Sequence, residues 1–264
     1  TRKALEDCIA SLENGDKGFA FASGMAATST ILELLDSGDH VIASDDLYGG
    51  TYRLMEDVRK RTSSLDFSFV DFSKTSNILD AIRPNTKMLW LETPSNPLLK
   101  ITDLDAVSSV VDNRDIIKVC DNTFSSPRIQ QPLDFGFDIV MHSATKYIGG
   151  HGTSIGGIIV DGGNFDWTKD RKRQPLMNEP DQSYNGAIWA DAVPQLTGAN
   201  IPFAIRARVV LLRDLGAPLS PFNAFQIIQG LETVALRMKQ HCVNAEKVVA
   251  FLETQKKVTN VIYP

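Results

Sequence analysis

Four short clusters in this chain combine residue types that do chemistry, and each follows an apolar run. Ser23-Gly24-Met25 stands where a strand-like stretch turns into a helical pattern. A glycine there lets backbone approach a ligand, and the new helix offers unpaired N–H groups and a positive dipole end, which together make a cup for phosphate. The competing reading is a small-residue turn that only turns. Asp121-Asn122-Thr123 closes another apolar run. An acid at that place is costly to bury unpaired. It is either a helix cap or exposed strand end, or a carboxylate facing a cation such as a protonated ring nitrogen. Ser143-Ala-Thr145-Lys146-Tyr147 follows a third run. Lysines are mostly solvated, but one flanked by hydroxyls and glycines behind a buried strand suits a nucleophile for carbonyl carbon. Asp46-Leu-Tyr48-Gly-Gly50 follows a fourth. Tyr48 is either a packed amphipathic aromatic or a ring platform with a usable hydroxyl.

A phosphate cup, an acid for a ring nitrogen, an aldehyde-seeking lysine and an aromatic platform together specify pyridoxal 5'-phosphate (PLP), whose binding sites need those parts. No zinc-type spacing competes: His40, His142, His151 and His241 lack the close His/Cys pairs of metal centres, and no metal site is expected. The glycines of Gly149–Gly157 run into a strand with no GK[ST] and no helix after them, which rejects a nucleotide loop.

The elements that must position these clusters follow from periodicity. Leu5, Ile9 and Leu12 mark a helix over Lys3–Asn14. Compact apolar runs predict strands at Gly18–Ala22, His40–Ala43, Phe67–Phe72, Lys87–Leu91, Ile116–Cys120, Phe137–Met141 and Ile155–Val160. Helical patterns fall between them at Ala26–Leu35, Thr51–Lys60, Leu79–Ile82 and Leu104–Val111. That alternation implies an α/β fold, a mostly parallel sheet between helices, with ligands beyond the carboxyl ends of the strands. Residues Gly162–Asn200 read as a long polar excursion, and Phe203–Leu215 and Pro221–Leu252 as helices.

Composition narrows the class. With 27 basic and 32 acidic residues among 264, the net charge is −5, against a nucleic-acid or anionic-membrane partner. No run approaches the roughly 20 apolar residues that span a bilayer. TRKALEDC carries acids and is no signal peptide. Cys8, Cys120 and Cys242 are scattered without a CxxC, which points to buried thiols in a reducing, cytoplasmic setting.

Five strings match a known family in order and spacing: Ala22-Ser-Gly-Met-Ala-Ala27, Asp46-Leu-Tyr-Gly-Gly50, Glu92-Thr-Pro-Ser-Asn-Pro97, Asp121-Asn-Thr-Phe124 and Ser143-Ala-Thr-Lys-Tyr147. On these the chain resembles the Cys/Met-metabolism PLP enzymes, of fold type I (aspartate-aminotransferase-like). The resemblance implies that Lys146 carries the cofactor covalently and moves protons, and that Asp121 pairs with the ring nitrogen. It implies that Tyr48 stacks on the ring, that Asn96 lies beside the phenolic oxygen, and that Ser23, Gly24, Met25, Ser143 and Thr145 hold the phosphate. Lys146-Tyr-Ile-Gly-Gly-His-Gly-Thr-Ser-Ile-Gly-Gly-Ile-Ile-Val-Asp161 and Arg213–Phe225 look like the O-acetylhomoserine sulfhydrylase branch. Methionine γ-lyases typically have Cys where this chain has Gly50. The implied reaction is γ-replacement on O-acetylhomoserine by sulfide or a thiol, giving homocysteine or methionine and acetate. Cystathionine γ-synthase and the γ- or β-eliminating lyases are the alternatives, and a catalytically weak scaffold of the same fold a further one. The resemblance also implies a homodimer or homotetramer with shared active sites. A start at Thr1 without Met and a strand-like ending Val261–Pro264 suggest a piece of a longer protein, lacking an N-terminal arm and most of a C-terminal domain. The expected division is a PLP-binding domain over 1–237 and the beginning of a smaller domain over 238–264. No arginine is assigned to the substrate carboxylate; Arg206, Arg208, Arg213 and Arg237 are read as solvated or salt-bridged.

Overall fold

A computed structural model describes residues 1–264. Seven strands are present: β1 (Lys17–Phe21), β2 (His40–Ser44), β3 (Asp66–Val70), β4 (Thr86–Glu92), β5 (Ile117–Asp121), β6 (Ile139–His142) and β7 (Gly157–Asp161). They form one sheet in the order β1-β7-β6-β5-β4-β2-β3. The pairings β2–β3, β2–β4, β4–β5 and β5–β6 are parallel, and β7 runs against both β6 and β1. Every strand but β7 therefore points the same way, and the segments that follow them gather at one edge.

The unbroken apolar runs reflect cover on both faces of the sheet. Alternate residues go opposite ways. Phe19, Val41, Trp90, Val119 and Ile159 pack on one face with Ile31, Met55 and Phe203. On the other face, Ala20, Val140 and Ile158 meet Leu5, Ile9 and Ile227, while Ile42, Leu89 and Cys120 meet Ile78 and Val107. Helices Arg2–Leu12, Gly24–Leu32, Thr75–Ala81 and Leu104–Val111 lie within a few residues of where periodicity puts them.

Three expectations need correction. The stretch after Gly162 is not a loose excursion. It contains a helix, Trp189–Thr197, and Phe165, Trp167, Met177, Trp189 and Val193 are buried in the larger core. Its apolar residues are spaced too widely to show as a period, and tertiary packing gathers them. The final helical stretch is two helices, Pro221–Leu231 and Val234–Glu253, separated at Glu232 and Thr233. Only Cys120 is a core thiol; Cys8 and Cys242 are exposed. Cys8 stands outside the Leu5/Ile9 stripe of its helix, and the helix bearing Cys242 buries only Val234 and Met238. No helix is long and apolar enough to cross a membrane.

Trp189 measures the first correction. Its indole N–H donates to Asp181 Oδ2 at 3.0 Å, and its ring packs edge-on to Tyr184. Trp189→Ala is expected to lower unfolding free energy by about 3–5 kcal/mol, read from urea midpoints. A change within about 0.5 kcal/mol is what a loose surface segment gives.

Candidate active site

One cleft of about 480 Å³ opens at the carboxyl edge of the sheet, and the nine residues singled out from the sequence all line it: Ser23, Gly24, Met25, Tyr48, Asn96, Asp121, Ser143, Thr145 and Lys146. They arrive from the ends of five strands, β1, β2, β4, β5 and β6, or the segments just after them. Past β1, Ser23 is the N-cap of helix Gly24–Leu32 and its Oγ accepts from Ala26 N–H at 3.1 Å. The N–H groups of Gly24 and Met25, in the first turn, have no intrahelical acceptor. Gly24 lies so close to the loop after β6 that an added Cβ would stand 2.8 Å from Ser143 Cβ.

Asp121 ends β5 and is only 6 % exposed. Its Oδ1 accepts from Thr123 N–H at 3.1 Å and from the Thr123 hydroxyl, whose oxygen accepts in turn from Ser143 N–H at 2.8 Å. The loops after β5 and β6 are thereby tied through the carboxylate, while Oδ2 has no protein partner. Burial pushes Asp121 above the ordinary carboxylate range, opposed by the Thr123 hydrogen bonds and by nearby His142. Beneath, fully buried Glu13 and His142 pair at 2.5 Å, and Asn122 donates its side-chain amide to the same Glu13 oxygen at 2.8 Å.

Glu92 and Thr123 are cleft residues that the sequence reading did not single out. Glu92 ends β4 directly opposite Asp121 on β5. Its Oε2 accepts from Tyr48 N–H at 2.8 Å, so the acid fixes the backbone of the tyrosine. Burial, then the Asp121 charge, push Glu92 up to about 9. Both residues sit inside quoted motif strings; what the sequence cannot show is that β4 and β5 are neighbours in register. The loop carrying Asn96 is pinned by Asp46, which accepts from the Ser95 hydroxyl and from Leu98 N–H at 2.9 Å. Tyr48 is 43 % exposed and lines the cleft. Lys146 stands exposed at the mouth and forms no ion pair; its N–H donates to Ser143 O at 3.1 Å and its carbonyl accepts from Gly150 N–H at 2.8 Å. The Thr145 hydroxyl donates to Gly156 O at 3.2 Å and accepts from Gly156 N–H at 3.1 Å, so it is the most committed of the expected phosphate donors.

The donor set fits PLP. A buried carboxylate with one free oxygen suits a pyridinium N–H, two free amides and the unengaged Ser143 hydroxyl suit a phosphate, and an unpaired lysine amine suits the aldehyde. The sequence profile described as "Cys/Met metabolism PLP-dependent enzyme" matches residues 1–264.

The chain belongs to the Cys/Met-metabolism PLP-dependent family.

Among relatives, the cystathionine β-lyase of Coxiella burnetii (strain RSA 493 / Nine Mile phase I) is 46% identical over 264 residues, which is 100% of this chain and 59% of that protein. The O-acetyl-L-homoserine sulfhydrylase of Leptospira meyeri is 43% identical over 268 residues, 100% of this chain and 60% of that protein. A solved putative O-acetylhomoserine (thiol)-lyase from Campylobacter jejuni, containing N'-pyridoxyl-lysine-5'-monophosphate, superposes with a TM-score of 0.92 at 36% identity, over 100% of this chain and 63% of that one. The cystathionine γ-lyase of Lactobacillus plantarum complexed with L-serine gives 0.80 at 38%, over 100% and 59%. These family members share fold type I, and the chain spans about three-fifths of the length of the curated relatives it matches. PLP is the family's cofactor.

The raised Glu92 has a consequence for pH. Between its ordinary 4.5 and about 9, the folded chain keeps a proton that the unfolded chain has released. Glu92 therefore favours folding at low pH, and that contribution is lost as pH rises through this window. Glu92→Gln keeps the acceptor for Tyr48 N–H and removes the proton. In cofactor-free protein, melting temperature is expected to fall less from pH 6 to pH 9 in the variant (roughly the span between the two values), and the variant is expected to be the more stable form at the alkaline end. Parallel curves contradict a neutral Glu92.

Proposed function

We propose that this chain is the cofactor-binding core of an enzyme for γ-replacement on O-acetyl-L-homoserine, in which sulfide or a thiol takes the place of acetate at Cγ to give homocysteine or methionine. The observation that carries the reading is the convergence of Lys146, Asp121 and Tyr48 on one cleft with a free helix N-terminus. PLP, when bound, supplies an electron-accepting ring that stabilises negative charge beside the substrate amine.

The chain's own groups do the rest in this proposal. Lys146 holds the aldehyde carbon and, once displaced by the substrate amine, takes the α-proton, since a general base must lie within reach of the proton it moves. Asp121 keeps a proton on the ring nitrogen. Tyr48 would cover the ring face and lend its hydroxyl proton to the oxygen of the departing group, regaining one from the entering thiol, and Asn96 would lie beside the phenolic oxygen. Ser23, Ser143 and the Gly24 and Met25 amides hold the phosphate, and Thr145 joins them by turning its hydroxyl from Gly156.

Two further parts belong to this reading. Residues 1–237 form the PLP-binding domain and 238–264 begin a smaller one; the final helix crosses that point unbroken and buries nothing beyond Met238. The enzyme acts in the cytoplasm as a homodimer or homotetramer whose subunits share sites, which suits the exposed Tyr48 and Tyr52.

The second reading is elimination from cystathionine, favoured by the 46% identity to a cystathionine β-lyase. Product analysis separates the two. O-acetylhomoserine with sulfide yields homocysteine and acetate under the first; cystathionine alone yields homocysteine, pyruvate and ammonia under the second. Tyr48→Phe is expected to slow turnover on the order of 10²-fold with cofactor retained. Lys146→Ala is expected to abolish both turnover and the visible absorbance of lysine-bound cofactor. Unchanged turnover in Tyr48→Phe removes that hydroxyl from the chemistry, and a Lys146→Ala variant that still turns over, or that still holds the cofactor covalently after borohydride reduction, removes the lysine.

A further inference from the structure

The loop carrying Lys146 is held from behind by a residue outside every motif named above. Arg237 lies in the first turns of helix Val234–Glu253. Its guanidinium donates to Tyr147 O at 2.7 Å, to Ile148 O at 3.4 Å and to Gly230 O at 2.7 Å, and its Nε–H donates to Thr233 Oγ1 at 3.0 Å. Two of those carbonyls belong to the residues immediately after Lys146. The third is near the end of helix Pro221–Leu231. One planar group thus spans the lysine loop and the junction between two helices. Arginine has five donors in a fixed fork, whereas lysine is a point charge on a flexible stem.

The backbone is shaped to admit that fork. Gly150 has φ +71°, and a Cβ there would stand 2.4 Å from Arg237 Cζ. At Gly230 a Cβ would stand 1.9 Å from Gly149 O, so the loop lies directly on the helix. One turn beyond Arg237, the His241 ring meets Tyr147 edge-on at 5.2 Å, and Tyr147 also meets Phe124, a residue of the cleft, at 6.2 Å. The residue next to Lys146 is therefore held through both backbone and ring.

We propose that Arg237 is a positioning residue for Lys146: its hydrogen bonds to the Tyr147 and Ile148 carbonyls fix the loop from which the lysine enters the cleft, and so couple the placement of the amine to helix Val234–Glu253. The inference rests on the role assigned to Lys146 above.

Arg237→Met keeps an apolar stem and removes the donors; Arg237→Lys keeps the charge and loses the fork. In cofactor-free protein, hydrogen exchange at the amides of Lys146, Gly149 and Gly150 is expected to quicken about tenfold in Arg237→Met, the scale of one lost hydrogen bond, and less in Arg237→Lys, with β4 and β5 amides unchanged. With PLP added, the visible band is expected to persist while its pH midpoint moves. Wild-type exchange at the three amides overturns the proposal. So does quickened exchange with an unmoved midpoint, which reduces Arg237 to fold support. Should Arg237→Met fail to fold by circular dichroism, Arg237→Lys is judged on the same two readings. A wild-type chain with no lysine-dependent band refutes the role of Lys146 itself, and the exchange data still decide whether Arg237 holds the loop.

Discussion

A carboxylate at the end of a buried strand is the constraint from which the rest of this structure follows. Asp121 is almost fully enclosed, yet no arginine or lysine pairs with it, and only one of its oxygens has hydrogen bonds from the protein. Burying a charge on those terms is unfavourable unless a cation completes the pair. The neighbouring acid makes the demand sharper. Glu92 lies across the β4–β5 register, and burial together with the Asp121 charge raises it. Glu92, pushed up to about 9, keeps its proton at neutral pH, while burial also raises Asp121, so ionising Asp121 is favoured by a cation placed against its free oxygen.

The architecture explains why so many groups reach that point. With only β7 reversed, the turns after β1, β2, β4, β5 and β6 all emerge at one edge. Hydrogen bonds then link turn to turn: Asp46 holds the Asn96 loop, Glu92 holds Tyr48, and Thr123 joins Asp121 to Ser143. The site is thus a lattice of strand ends rather than a set of independent loops. Relatives described as a lyase and as a sulfhydrylase are both more than 40% identical to this chain over all of its residues, these strand ends included.

Much of this was legible in the residues themselves. Strands such as Met88-Leu-Trp-Leu91 are apolar at every position because helices cover both faces, and the polar strings stand just after them because ligands bind there. What escaped had no local signal. Trp167, Met177 and Trp189 are far apart along a polar stretch and meet only in the fold. The helix break at Glu232–Thr233 lies in a run whose helical pattern continues on both sides. Glu92 needed the order of strands, and Arg237 needed the contact between its helix and the Lys146 loop, which sequence separation conceals. Cys8 and Cys242 followed the solvent-facing sides of their helices rather than the general preference of thiols for the interior.

The most direct test of the carboxylate's role is the ¹⁵N chemical shift of the ring nitrogen in protein loaded with isotopically labelled PLP. The account predicts a protonated pyridinium signal in the wild-type chain through the neutral pH range and an unprotonated pyridine signal in Asp121→Ala. A pyridine signal in the wild type, or the same signal in both, would contradict it.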